Sequence, residues 1–287
     1  AEVHSENPIS QQLVVKLSAP DRWEKSFAEM AAKCGLKINL KIGFEILEQF
    51  FSSDIRCKMM SKKPWYETAW IQTTYAQFLP EWQFVEERAK EIIESVHLKP
   101  GMKILDMACG SGAETTALAI MGYEIAGVDF SPAMIDIAKR ISNEKKANVE
   151  WRIGDMRQLT EYEKYDLVMM RDVIFGIFDH QSNLDVLGKL FNAVKTGGHL
   201  LLEVYNKKVA LEKNKIEGFL SYNSVNNRFE GAFDKKTVEG NVVTDFASNE
   251  FFSVQEWIVM LSSLGLKDIC FYSSLPAKIR GLDYNSS

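Results

Sequence analysis

The stretch Lys103-Ile104-Leu105-Asp106-Met107-Ala108-Cys109-Gly110-Ser111-Gly112-Ala113-Glu114 decides how the chain is read. A short apolar run ends in an acidic residue, two glycines follow two positions apart, and a helical pattern opens directly behind them. Pro100-Gly101 marks the turn into the run. The unit is therefore strand, tight loop, helix, and it recurs downstream. Strands are expected at 103–107, 124–129, 149–153, 166–171 and 199–205, with helices at 114–121, 133–143 and 183–195 between them. Right-handed crossovers would make this α/β sheet mainly parallel and doubly wound.

The texture differs on either side. Residues 1–20 read as polar and irregular. Asp21 is a candidate N-cap for a helix presenting Trp23, Phe27, Met30 and Ala31, with Gly35 as its stop. A second helical pattern covers 40–51, an aromatic-rich stretch covers 64–75, and Pro80 opens an amphipathic helix reaching about Val96. Residues 1–97 are thus expected to form an N-terminal helical extension or lid, and 98–287 the α/β domain. Within that domain 206–250 is too long for an ordinary connection and reads as a β-like insertion after strand five, patterned at 228–233 and 242–246. Ser253 should cap a helix reaching Leu264, and 267–272 should be a late strand.

Composition removes several classes of function. Lys and Arg total 34 against 39 Asp and Glu, a net charge of −5, which lacks the basic footprint of phosphate-backbone binding. No nucleic acid partner is expected. Cys34, Cys57, Cys109 and Cys270 lack C-x-x-C spacing, and His4, His97, His180 and His199 form no metal-ligand pair. No metal is expected, and a reducing, cytoplasmic setting follows. No apolar run reaches the roughly 18 residues of a membrane helix, so no membrane partner is expected, and the oligomeric state stays open.

Asp106 to Gly112 resembles the cofactor loop of class I S-adenosylmethionine-dependent methyltransferases of small-molecule type. The family carries an acidic residue before a G-x-G-x-G loop, and here Ala108 stands at the first glycine. The resemblance spans roughly 98–205 and implies a Rossmann-like domain with S-adenosyl-L-methionine as cofactor. Charge favours it over the dinucleotide alternative, an NAD(P)-dependent oxidoreductase, because Asp106 and Glu114 would repel a pyrophosphate and suit an ammonium and a sulfonium. A cofactor-binding protein without turnover is the third reading. Asp129, 23 positions beyond Asp106, ends the second strand, where a carboxylate can accept both ribose hydroxyls. Phe130 and Met134 could face the adenine or belong to the core. The resemblance gives Asp155 the adenine amino group and the backbone N–H of Met156 a ring nitrogen. It also places Arg171, at the exit of the fourth strand, beside the methionine end. The family usually closes its sheet with an antiparallel hairpin, for which only 15 residues follow Tyr272.

The acceptor side is less legible. Arg171-Asp172-Val173-Ile174 stands where base-amino methyltransferases carry an Asn- or Asp-Pro-Pro-aromatic motif, and no cysteine follows a proline, so a small-molecule or carrier-bound substrate is expected. Transfer requires proximity and, for an oxygen acceptor, a base. His180 is the histidine nearest the expected exit of the fourth strand, with Asp172 and Tyr205 as alternatives. Trp65, Tyr66, Trp70, Tyr75, Phe78 and Trp82 form either a closing lid or a packed helical subdomain.

Overall fold

The alternation expected after residue 98 is present in the computed structural model, which describes residues 10–16, 81–172, 174–213, 221–236, 242–266 and 268–272. In chain order the elements are β1 (Ser10–Lys16), α1 (Trp82–Ser95), β2 (Lys103–Met107), α2 (Ala113–Ile120), β3 (Glu124–Asp129), α3 (Pro132–Glu144), β4 (Glu150–Ile153), a 3-10 turn (Met156–Gln158), β5 (Tyr165–Met170), α4 (His180–Ala193), β6 (Val194–Tyr205), α5 (Lys207–Lys213), β7 (Ser221–Asn223), β8 (Arg228–Lys236), β9 (Val242–Asn249), α6 (Val254–Ser263) and β10 (Asp268–Tyr272).

Seven strands form one sheet in the order β10-β1-β6-β5-β2-β3-β4, parallel from β6 through β4. The central strands are near-continuous apolar runs, as strands covered on both faces must be. Alternate side chains then feed opposite layers. Leu105, Val168, Met170, Leu200 and Leu202 pack with Val186, Leu187 and Leu190 of α4 and Trp257 and Leu261 of α6. Ile104, Leu167, Met169 and Leu201 pack with Val85, Ala89 and Ile92 of α1 and Ala117 and Leu118 of α2. Each fully buried side chain of this kind contributes about 1.5–3 kcal/mol, so the sheet with its two helical layers is the core. The fold is Rossmann-like and doubly wound, as expected.

The helix ends follow local chemistry. Ser131 accepts from the Met134 N–H and Pro132 begins α3, while Asp179 caps α4 by accepting from the Ser182 N–H. Ser253 and Glu256 form a reciprocal capping box on α6. Residues 206–250 add α5 and a separate antiparallel sheet, β7-β8-β9.

One expectation is corrected. Residues 10–16, read as irregular, form β1, which lies antiparallel between β6 and β10, with Leu13 opposite Leu202 on one side and Phe271 on the other. The antiparallel position beside β6 is therefore filled from the N-terminal side. Leu13-Val14-Val15 is too short an apolar run to announce a strand alone, and two paired neighbours supply what local propensity lacks. The 1–97 segment thus contributes a strand to the sheet besides helix α1. The other helices and the aromatic cluster expected before residue 81 lie outside the described residues.

Candidate functional site

The carboxyl ends of β2, β3 and β4 deliver Asp106, Asp129 and Asp155 to one edge of the sheet, the edge where open α/β sheets take ligands. Between them the loop 108–112 turns tightly. Ala108, Gly110 and Gly112 all have positive φ, at 59°, 53° and 67°. For Ala108 this is the left-handed region, strained for an L-residue by about 1–2 kcal/mol. Strain of this kind collects at ligand sites, and Asp172 at the exit of β5 repeats it with φ 57°.

Trp151, on β4 opposite Gly127 of β3, lies beneath the loop with its Nε1 donating to Ser142 Oγ at 3.0 Å. A Cβ on Gly112 would overlap this ring and meet Ala138 Cβ at 2.8 Å, and one on Gly127 would meet Trp151 Cε3 at 2.6 Å. Both positions therefore require glycine. Around Gly110 the space is open, so its backbone faces an unfilled region at the sheet edge.

Asp129 ties the loop to β3. Its carboxylate accepts from the N–H of Gly110 and of Ser131, each at 2.9 Å. Burial raises its pKa, and those two N–H groups oppose the rise. A carboxylate offers about four lone-pair sites, which leaves acceptor capacity for ribose hydroxyls. Phe130 beside it is partly exposed, whereas Met134 is buried and offers little surface to a ligand. Asp155 caps the turn at 156–158 and is held by Arg157, whose Nε and Nη2 reach its oxygens at 2.6–3.1 Å. Partial burial pushes the Asp155 pKa up, and the Arg157 hydrogen bonds more than reverse it, so the carboxyl stays ionised. Met156 is partly buried against the main core.

At the other end of the edge a charged network gathers. Glu114, in the first turn of α2, pairs with Arg88 of α1 and lies 3.5 Å from Arg171 Nε. Glu203 of β6 pairs with Arg171 at 3.3 Å and with Arg88 at 3.6 Å. Asp172, its side chain 78% exposed, accepts from Arg88 Nη2 at 3.1 Å, and its N–H donates to Glu203. Burial works against the Arg88 charge, and Glu114 and Asp172 outweigh it, holding its pKa above the ordinary range. Arg171 is 6% exposed, and its Nη1 is buried with no hydrogen-bond partner among the described residues. A buried, unsatisfied cationic donor is costly, and a ligand carboxylate would satisfy it. Asp106 closes the network from below, 5% exposed, accepting from the Thr115 hydroxyl. Desolvation pushes its pKa up to about 8.

His180 and Tyr205 lie in a different setting. His180 begins α4, and its Nδ1 is 2.7 Å from Glu250 Oε1, which raises its pKa. The buried Glu250 also accepts from Asn183 Nδ2 at 2.9 Å. Arg228 of β8 donates to the carbonyls of Gly176, Ile177, Phe178 and Ser248, fastening the β8–β9 hairpin onto the loop after β5. Gly176, with φ 104°, passes so close to Glu250 that no Cβ would fit. The Tyr205 ring lies tilted against Phe251 with centroids 4.3 Å apart, and Phe251 stacks on Phe229 at 4.4 Å.

The structure thus gathers Asp106, Ala108, Gly110, Gly112, Asp129, Asp155, Arg171 and Asp172 along one edge, and pairs His180 with Glu250. Sequence reasoning missed Arg88, Thr115, Trp151, Glu203, Arg228 and Glu250. Of these only Glu203 gave a signal, as a charge inside the apolar run Leu200–Val204. No group of three or more metal-ligating side chains occurs among the described residues, and no helix there is long and apolar enough to cross a membrane.

Residues 98–250 match the family described as "Methyltransferase domain". The chain is 28% identical over 173 residues to phosphoethanolamine N-methyltransferase 1 of Zea mays, covering 58% of this chain and 34% of that one. It is 30% identical over 121 residues to the ubiquinone biosynthesis O-methyltransferase of Coxiella burnetii, covering 42% and 50%. The chain therefore spans half or less of the length of these relatives. Among solved structures, the CcbJ methyltransferase of Streptomyces caelestis superimposes with a TM-score of 0.55 at 14% identity, covering 68% of this chain and 86% of that one. The PH0226 protein of Pyrococcus horikoshii does so with 0.52 at 20% identity, covering 71% and 90%. At these identities the superpositions speak for the fold alone.

Proposed function

From the premise that the chain belongs to the methyltransferase-domain family, of the class I S-adenosylmethionine-dependent kind, we propose that it transfers a methyl group to an oxygen, nitrogen or carbon atom of a small metabolite or carrier-bound acceptor. The observation that carries this reading is the charge layout of one sheet edge. Acids end β2, β3 and β4, and Arg171 presents a buried, unpartnered guanidinium nitrogen at the exit of β5. A zwitterion carrying ammonium, carboxylate, ribose and adenine fits that order.

In this reading Arg171 receives the carboxylate and Asp106 the ammonium. Asp129 takes the ribose hydroxyls, Phe130 faces the adenine, and Asp155 with the Met156 N–H reads the adenine edge. Gly110 and Gly112, with Ala108, let the backbone approach. When bound, the cofactor supplies a methyl group on positively charged sulfur, already activated for displacement. The chain's own task is then to hold the acceptor in line, exclude water and, for a hydroxyl, remove its proton. His180, oriented by Glu250, is proposed for that proton, with Asp172 and Tyr205 as the alternatives. The acidic balance supports a substrate other than nucleic acid, and the free thiols of Cys109 and Cys270 fit a reducing, cytoplasmic setting. The dinucleotide reading fares worse, since Asp106, Glu114, Asp172 and Glu203 crowd the place a pyrophosphate would need. A thermal-shift series with S-adenosylhomocysteine, NAD and NADP tests the ligand, with stabilisation by the first alone expected. Formation of S-adenosylhomocysteine from S-adenosylmethionine with an amine and phenol panel tests turnover. Stabilisation by NAD instead would overturn the proposal.

A further inference from the structure

Four carboxylates, Asp106, Glu114, Asp172 and Glu203, meet at the methionine end of the edge, and two guanidiniums, Arg88 and Arg171, face them. Arg88 and the Nε of Arg171 are already committed to the other three carboxylates. Arg88 spans Glu114, Asp172 and Glu203, and Arg171 lies between Glu114 and Glu203. Asp106, the most deeply set of the four, makes its hydrogen bond with the neutral hydroxyl of Thr115. Around it Glu114 and Asp172 add negative charge, Arg171 opposes them, and the Cys109 thiol flanks it on the loop, with Asp129 on the far side of that thiol. An ionised carboxylate in such a place is strongly disfavoured, whereas a protonated one costs little. The Thr115 hydroxyl suits either form, because it both donates and accepts.

We propose that Asp106 carries a proton in the cofactor-free protein near neutral pH, and that binding of the cofactor's ammonium group releases this proton, so that cofactor affinity rises with pH. The inference rests on the cofactor reading above. The balance is simple: the carboxylic acid loses its proton to solvent, and the carboxylate that remains pairs with the ammonium. Desolvation, which pushes the Asp106 pKa up to about 8, agrees with this. Glu114 is the competing holder, since burial also raises its pKa, but two arginines oppose that rise.

The test is titration calorimetry of the full chain with S-adenosylhomocysteine at pH 7 in phosphate and in Tris, whose ionisation enthalpies differ widely. The buffer dependence of the observed enthalpy counts the protons released. Close to one is expected for the wild type, with affinity rising by up to roughly tenfold per pH unit below pH 8 and levelling above it. Asp106→Asn, which keeps the shape of the protonated acid, should bind more weakly, release no proton and show flat affinity between pH 6 and 8. Adenosine, which lacks the ammonium, should bind the wild type without release. Tight binding of S-adenosylhomocysteine with neither buffer nor pH dependence would overturn the inference and leave the cofactor reading intact. Release that persists in Asp106→Asn and vanishes in Glu114→Gln would overturn it in favour of Glu114. No binding at pH 8 would overturn both.

Discussion

Three glycines around the cofactor loop separate backbone strain from packing, and alanine at each should cost a different amount for a different reason. Gly110 has φ 53° and open space around it, so only left-handed strain acts, about 1–2 kcal/mol. The stiffer unfolded chain returns about 0.4–1 kcal/mol of that. Gly110→Ala should therefore cost about 1.6 kcal/mol or less. Gly127 has ordinary strand φ, but its Cβ would press into Trp151 and sit 3.2 Å from Cys109 Sγ, an overpacking cost of about 1–3 kcal/mol. Gly112 suffers both, with φ 67° and overlap with Trp151 and Ala138, and about 2–5 kcal/mol is expected before the same unfolded-state return. The assay is urea denaturation followed by circular dichroism, repeated in a Trp151→Leu background. With the ring gone, Gly127→Ala should lose most of its cost, a coupling of at least about 1 kcal/mol, while Gly110→Ala should be unchanged. Equal costs for Gly127→Ala in both backgrounds, or a Gly110→Ala cost matching that of Gly112→Ala, would refute the reasoning.

Asp129→Ala removes the acceptor proposed for both ribose hydroxyls, where each charge-assisted hydrogen bond contributes about 1.5–3 kcal/mol. Calorimetry should show S-adenosylhomocysteine binding weakened about tenfold or more, and unchanged affinity would take Asp129 out of the site. His180 should titrate above its ordinary range by NMR, because the Glu250 carboxylate favours its charged form, and Glu250→Gln should bring it down. Because the folded-state value is raised, the stabilisation from this pair is complete below the unfolded value of about 6.5. It is lost as pH rises through the folded value, so melts of wild type and Glu250→Gln should converge on the alkaline side. Arg228→Ala frees four carbonyls, and hydrogen exchange in β8 and β9 should quicken about tenfold or more relative to β5. Equal protection would mean the hairpin is held by its aromatic contacts.

The parallel half of the sheet was legible because its signals are local. An apolar run, a glycine loop and a helix cap each fit within a dozen residues, and the ends of β2 and β3 fall where the pattern put them. His199 was expected to begin β6, which instead starts at Val194: Thr196-Gly197-Gly198 reads as a turn, and the ladder with β5 does jump there from Val194 to His199, so the strand starts on a single pair upstream of the irregularity. Cofactor acids were found by their place at strand ends. Arg88, Glu203 and Glu250 were not, because their partners lie 26 to 115 residues away and no spacing rule spans such distances. The base remains a choice among three side chains because the acceptor, which decides among them, leaves no mark on the residues that would touch it.

The antiparallel strand β1 sets a timetable. Synthesis delivers Ser10–Lys16 first, yet Leu13 must wait for Leu202 on one side and Phe271 on the other, so the sheet cannot close until nearly the whole described chain has left the ribosome. During that interval the sheet ends on β6, or on β1 once it is seated there, with an unpaired edge that is a template for unwanted pairing. Closing a loop of such length adds little free energy beyond that of a shorter one, but the search slows the last step. A chaperone that holds nascent chains would therefore find its client here in the half-built sheet, with the earliest of the described strands waiting for the latest.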